Sequence, residues 1–220
     1  MCNFLKNKTI LLSKINQIIG LSLGDLAKRL KIPIPYNLKK KKGWIGQLFD
    51  NFFGVNLIHQ SNIDFPHLGI ELKTIPINRY GKPSQNTFVC SLSYINSNNF
   101  NWFQSYIRYK LSHVLWILIE EDKKIPLKER KIINSFLWKP SKKEENCIQK
   151  DWEILMDIIV FGRLEQLNSY YSKILEIKVK SFYKKNQTMS INQNGFIFKN
   201  SPIAFYLKKD FTKTIIIKNF

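Results

Sequence analysis

Apolar residues recur at three- and four-residue spacing in several stretches of the chain and alternate with polar ones in others. Residues 8 to 19 and 22 to 31 read as two short amphipathic helices, the second N-capped by Ser22 and carrying Leu23, Leu26, Ala27 and Leu30 on one side. Pro33 and Pro35 end this pair. Trp44, Ile45, Leu48, Phe49, Phe52 and Phe53 then repeat at helical spacing as far as Gly54, a natural C-terminal stop, and leave Gln47, Asp50 and Asn51 on the polar side. GIELKTIPI, TFVCSLSYI and VLWILIEED are strand-like, and the last is apolar enough to be buried on both faces. QSYIRYKL, with Arg108 and Lys110, runs into that strand without a break. The longest helical pattern extends from Glu144 to Leu167, with Ile148, Trp152, Leu155, Ile158 and Ile159 on one side. KILEIKVK alternates like a half-exposed strand with Lys178 and Lys180 on a basic face, and the closing run IIIKNF fits strand or helix. No repeat or flexible linker intervenes, so residues 1–220 predict one compact α/β domain, hinged between an N-terminal and a C-terminal lobe.

Composition adds a partner. Hydrophobic residues make up 44% of the chain, with five Trp and sixteen Phe, enough for a packed core. Thirty-five Lys and Arg against sixteen Asp and Glu leave a net charge of +19, a self-repulsion that a polyanion such as nucleic acid would relieve. The run Lys39 to Lys42 is either a solvated loop or a phosphate clamp. No apolar stretch is long enough to span a bilayer, and the first residues are broken by Lys and Asn before a signal-like core develops, so the expectation is a cytoplasmic protein with no membrane partner. Cys2, Cys90 and Cys147 are odd in number and scattered, and His59, His67 and His113 form no cluster. Neither a disulfide framework nor a zinc site is expected.

The chemistry concentrates in DFPHLGIELKT, from Asp64 to Thr74. On a strand Glu71 and Lys73 point the same way while Ile70 and Leu72 point toward a core, an arrangement that by itself is only an ion pair. A loop-to-strand turn returns Asp64 to the same spot. Two carboxylates held together call for a cation, and hard Mg²⁺ takes one or two protein carboxylates plus water and phosphate oxygens. With a lysine beside them to stabilise charge developing on phosphorus, Asp64, Glu71 and Lys73 are the residue types that phosphodiester hydrolysis needs.

Asp-x6-Glu-x-Lys alone is a loose pattern. The ordered runs KGWIGQLFD, DFPHLGIELKTIP, TFVC, KLSHVLWI, DWEILMDIIVFG and FYLKKDFT together resemble the MutH family of DNA mismatch repair endonucleases, within the PD-(D/E)xK nuclease superfamily, from about Leu23 to the C-terminus. The resemblance implies a restriction-endonuclease-like mixed β-sheet flanked by helices, with two lobes around a DNA cleft. It also implies a monomer that nicks the unmethylated strand of hemimethylated d(GATC) 5′ to the G with Mg²⁺, on activation by MutL and, through it, MutS. Asp64, Glu71 and Lys73 match the family's catalytic triplet, and Asp50 stands where the family has a further active-site acid, usually Glu. Asp64, Glu71 and Asp50 are thus the expected metal ligands. Lys42 and Lys110 match lysines near the scissile phosphate, Phe88 an aromatic inserted at the DNA, and Tyr206 the tyrosine placed to sense the adenine methyl group. Lys208 and Lys209 suit phosphate contacts, as does the basic strand with Lys178 and Lys180.

Departures from the family pattern accompany these matches. Lys178 stands where the family has an arginine that contacts DNA, and Val179 where a proline follows it. Lysine keeps the charge and loses the bidentate fork. The tail stops a few residues short of the family's, which predicts weaker coupling to MutL. Two other readings stay open on sequence alone: a restriction-type enzyme that cuts both strands of GATC, and a non-catalytic basic DNA-binding protein whose acids form structural ion pairs.

Overall fold

The structure is a computed structural model that describes residues 7–38, 41, 43–55, 63–92, 101–161, 163, 172–179, 188–191, 197–200 and 203–219. The chain forms two compact units, one from residues within 1–84 and 112–139 and the other from residues within 85–111 and 140–218. Among the sequence-predicted positions, Cys2, Lys39, Lys40, Lys42, His59, Lys180 and residues 164–167 lie outside the described residues.

The first unit is a three-stranded sheet covered by helices. Strands β1 (Glu71–Ile77), β3 (Val114–Glu120) and β4 (Ile132–Trp138) lie in the order β1-β3-β4, with β1 parallel to β3 and β4 antiparallel to it. Helices α1 (Lys8–Asn16), α2 (Leu23–Arg29) and α3 (Trp44–Phe53) bury Leu11, Ile15, Leu26, Leu48, Phe49 and Phe53 in one core with Leu72, Leu115, Ile117 and Ile132 of the strands. Ser22 caps α2 by accepting the Asp25 N–H at 3.0 Å, and Gly54, at φ +70°, ends α3 in the left-handed conformation that glycine favours. β3 is buried along almost its whole length, as its unbroken apolar run predicts.

The second unit is built on an antiparallel sheet in the order β2-β8-β5, from β2 (Thr87–Leu92), β5 (Leu175–Val179) and β8 (Ile203–Leu207). Helices α4 (Tyr106–Leu111), α5 (Lys142–Val160) and α6 (Lys209–Asn219) complete it, together with a hairpin of β6 (Thr188–Ile191) and β7 (Ile197–Asn200). Arg108 of α4 pairs with Glu145 of α5 at 2.8 Å, and Lys218 of α6 with Glu144 at 2.8 Å. Among the described residues no helix is long and apolar enough to cross a membrane.

The α/β class and the mixed sheet flanked by helices agree with the sequence reading, but the described strands divide between two three-stranded sheets and a two-stranded pair. The run before β3 is the helix α4, too short to display a period, and β4 escapes the pattern because Asn134 and Ser135 interrupt its alternation. α5 begins at Lys142, ahead of the expected Glu144, because Ser141 and Glu144 form a reciprocal capping box. The final β-branched run is helical.

Gly24 of α2 offers a stability test. A Cβ there would lie 2.6 Å from the backbone oxygen of Lys128. Alanine in a helix is ordinarily favoured over glycine by about 1 kcal/mol. Here Gly24→Ala is expected to destabilise by about 1–3 kcal/mol in urea unfolding, since backbone must move to admit the methyl group.

Candidate active site

The segment from Asp64 to Lys73 folds back on itself. Phe65 and Ile70 exchange backbone hydrogen bonds at 2.9 and 3.3 Å around a single 3-10 turn, Pro66–Leu68, which Gly69 closes at φ +65°. The reversal carries the Asp64 carboxylate to the first residues of β1, where Oδ2 accepts the Leu72 N–H at 2.7 Å. Two residues along one face, Lys73 Nζ donates to Glu71 Oε1 at 2.8 Å. The structure therefore brings Asp64 to the peptide that joins Glu71 to Leu72, with Lys73 paired to Glu71 on the adjoining face.

That face is not open to solvent, as simple alternation with a core on the other side suggests. Glu71 is only 3% exposed. The parallel pairing sets Glu71 beside Val114 and Lys73 beside Trp116, and the buried Ile75 and Ile77 continue the same face, so the face that carries Glu71 is itself largely buried. A buried carboxylate is costly without a positive partner, and here the ammonium of Lys73 provides one.

As a place for a hard divalent cation, two carboxylates, one fixed by a backbone amide and the other by an ammonium, are a suitable donor pair. Asp50, half-buried on α3, belongs to the same unit, and α3 packs against β1. Among the described residues no three His, Cys, Asp or Glu side chains are gathered as a ready ligand set, so Asp50 is not drawn together with Asp64 and Glu71 in that way. Lys110 is buried on α4 in the second unit, its Nζ 5.4 Å from the centre of the Tyr106 ring.

The second unit brings three of the expected DNA-contacting residues, Phe88, Lys178 and Tyr206, together on one sheet. Phe88, 41% exposed, faces Tyr206 across the β2/β8 pair with ring centroids 5.6 Å apart. A register shift between Phe88 and Cys90 marks a bulge in β2, a device that re-aims side chains. On the other flank of β8, Lys178 Nζ lies 5.4 Å from the Tyr206 ring centre. Burial raises the pKa of the Tyr206 phenol, and the Glu176 carboxylate adds to the effect. Lys209 is exposed at the start of α6, whereas the Lys208 ammonium donates to the Ser172 carbonyl and so has a structural partner.

Three residues that the sequence reading passed over hold this sheet in place. Glu176 pairs with Lys178, Asn86 donates to Glu176, and Asp151 of α5 accepts the backbone N–H groups of Ile174 and Leu175. Alternation in KILEIKVK already puts Glu176 and Lys178 on one face. Nothing local signals Asn86 or Asp151, because their partners are distant in sequence.

Comparison with known proteins decides the family. The family model described as "DNA mismatch repair enzyme MutH" matches residues 53–151. A "DNA mismatch repair protein MutH" of Haemophilus ducreyi is 41% identical over 96% of this chain and 92% of its own. The chain belongs to the MutH family. MutH proteins of Haemophilus influenzae, 42% identical over 94% of this chain and 92% of theirs, and of Serratia proteamaculans, 39% identical over 98% and 94%, extend the similarity across both units. MutH membership makes the chain a DNA mismatch repair enzyme and an endonuclease. The MutH match contains Asp64, Glu71, Lys73, Phe88 and Lys110, while Lys178 and Tyr206 lie in the part that only the full-length relatives cover.

Proposed function

We propose that this enzyme is a Mg²⁺-dependent, methyl-directed endonuclease that nicks the unmethylated strand of hemimethylated d(GATC) on the 5′ side of the G. The observation that carries the reading is the start of β1, where Asp64 reaches the Leu72 amide and Glu71 is ion-paired with Lys73. Asp64 and Glu71 would hold the metal, with Asp50 as a further acid for it. Bound Mg²⁺ supplies Lewis acidity toward the phosphate and activates water. Lys73 orients the nucleophile and, with Lys110 and Lys42, stabilises negative charge developing on the phosphate oxygens. The backbone amide fixes the Asp64 oxygen in advance, so little reorganisation is required when the reaction begins.

Strand choice belongs to the second unit. Tyr206 senses the adenine methyl group, Phe88 wedges at the duplex, and Lys178, Lys180, Lys208 and Lys209 contact the DNA backbone or bases. The protein acts as a cytoplasmic monomer that MutL activates after MutS has found a mismatch. The net charge of +19 supports the duplex as partner.

The test is incubation with Mg²⁺ and three duplexes, hemimethylated GATC, fully methylated GATC and a scrambled site, each with and without MutL. The expected product is a single nick in the unmethylated strand of the first duplex, stimulated by MutL. Linear product from unmodified GATC would instead support a restriction-type enzyme, and no cleavage even with MutL would refute the assigned chemistry.

A further inference from the structure

Glu176 is the only acidic residue in the three strands β2, β5 and β8. It ends the cross-strand row Phe88, Tyr206, Glu176. Its Oε1 is 3.2 Å from Lys178 Nζ, and its Oε2 accepts from Asn86 Nδ2. Asn86 is itself fixed, because its Oδ1 accepts the Lys209 N–H at 2.9 Å. Both carboxylate oxygens are therefore engaged, one by the cation and the other by an amide anchored at the start of α6. In register, Glu176 stands directly beside Tyr206, and the Lys178 ammonium lies over the same ring.

We propose that Glu176 is a specificity-positioning residue, whose carboxylate holds the Lys178 ammonium against the Tyr206 ring and so restrains binding to duplexes of any other sequence. The inference rests on the reading that this sheet face meets DNA. Non-specific affinity comes almost wholly from cations meeting phosphates, and a protein of net charge +19 has that attraction in excess. Competing sites in a genome vastly outnumber cognate ones, so discrimination improves when a contact is withheld from the wrong sequence. To reach a phosphate or base edge Lys178 must leave Glu176, and the carboxylate then faces the polyanion unpaired. A cognate site offsets that cost through base contacts, and a random site does not.

The test compares Glu176→Gln, Lys178→Gln and the double variant, by anisotropy without divalent metal, on hemimethylated GATC and scrambled duplexes over a range of salt. Glu176→Gln is expected to bind the scrambled duplex about 3- to 10-fold tighter, with a log–log salt slope steeper by about 0.9, one extra phosphate contact. The gain should vanish in the double variant, as coupling between the two side chains requires. Lys178→Gln alone should weaken binding to GATC far more than to the scrambled duplex. Unchanged scrambled-duplex affinity in Glu176→Gln, or a loss confined to GATC, would overturn the inference, the latter because Glu176 would then be reading a base itself. Should Glu176→Gln fail to fold, Lys178→Gln decides, and equal loss on both duplexes overturns the proposal. No effect of Lys178→Gln on either duplex would remove the DNA-facing reading of the sheet as well.

Discussion

Lys73→Ala is expected to lower the nicking rate by at least about 10²–10³-fold while duplex affinity stays within a few-fold, because removal of one preorganised group that stabilises transition-state charge typically costs that much. Binding should be spared because the cations proposed to hold the duplex lie elsewhere, above all in the second unit. The structure adds a consequence for stability. Glu71 is 3% exposed and pairs with Lys73 at 2.8 Å, so the variant takes this ammonium away from a buried carboxylate. Breaking such a pair costs about 3–5 kcal/mol. A divalent ion at the same carboxylate would replace the lost charge. Thermal unfolding of Lys73→Ala should therefore show a low Tm in EDTA that rises with Mg²⁺, and by more than the wild type rises, since binding to the folded state alone stabilises it. A variant that nicks at the wild-type rate would refute the role of Lys73. A Tm insensitive to Mg²⁺ would refute Glu71 as a ligand.

How far the sequence foretold this site depends on whether a contact is local. Glu71 and Lys73 are two residues apart on a strand, and alternation alone puts them together. Asp64 reaches them because proline and glycine frame a turn between Phe65 and Ile70, again a local event. What alternation could not give is the burial of Glu71. That follows from the parallel pairing of β1 with β3, whose partner residue Trp116 is 43 positions beyond Lys73 in a chain that enters the other unit in between. The division into separate sheets was hidden for the same reason, since β2 pairs with β8 and not with its strand neighbours in sequence.

The same contrast separates the aromatic and basic residues from those that hold them. Phe88, Lys178 and Tyr206 come from three strands, and only their agreement with a family pattern nominated them together. The sheet register then makes them neighbours. Asn86, whose partner Glu176 on β5 is 90 residues away, carries no pattern of its own. Polar groups that secure a functional surface in this way can be found only once the register is known.

The second large effect is expected from Asp151→Ala, which should destabilise the protein by about 3–5 kcal/mol, a large part of the roughly 5–15 kcal/mol that holds a domain folded. Asp151 is 5% exposed within α5, between the core residues Ile148 and Trp152. Its Oδ2 accepts the backbone N–H groups of both Ile174 and Leu175, the latter at 2.9 Å, at the point where the chain enters β5. Truncation to alanine strands two amides beside side chains that are themselves buried, each at a cost of about 1–3 kcal/mol. Lys208 and Ser172 bind the same turn, through the Lys208 N–H to Ile174 O at 2.7 Å and the Ser172 hydroxyl to Leu175 O, so its loosening should spread to β8. Urea unfolding gives the total loss, and hydrogen exchange locates it: protection should fall first at Ile174, Leu175 and the β5 amides, while β1 and β3 of the other unit keep theirs. If Asp151 serves only as a helix residue, protection will instead fall along α5 and leave β5 unchanged. Asp151→Asn keeps one acceptor oxygen and should recover part of the stability, separating the loss of the hydrogen bonds from the loss of the charge.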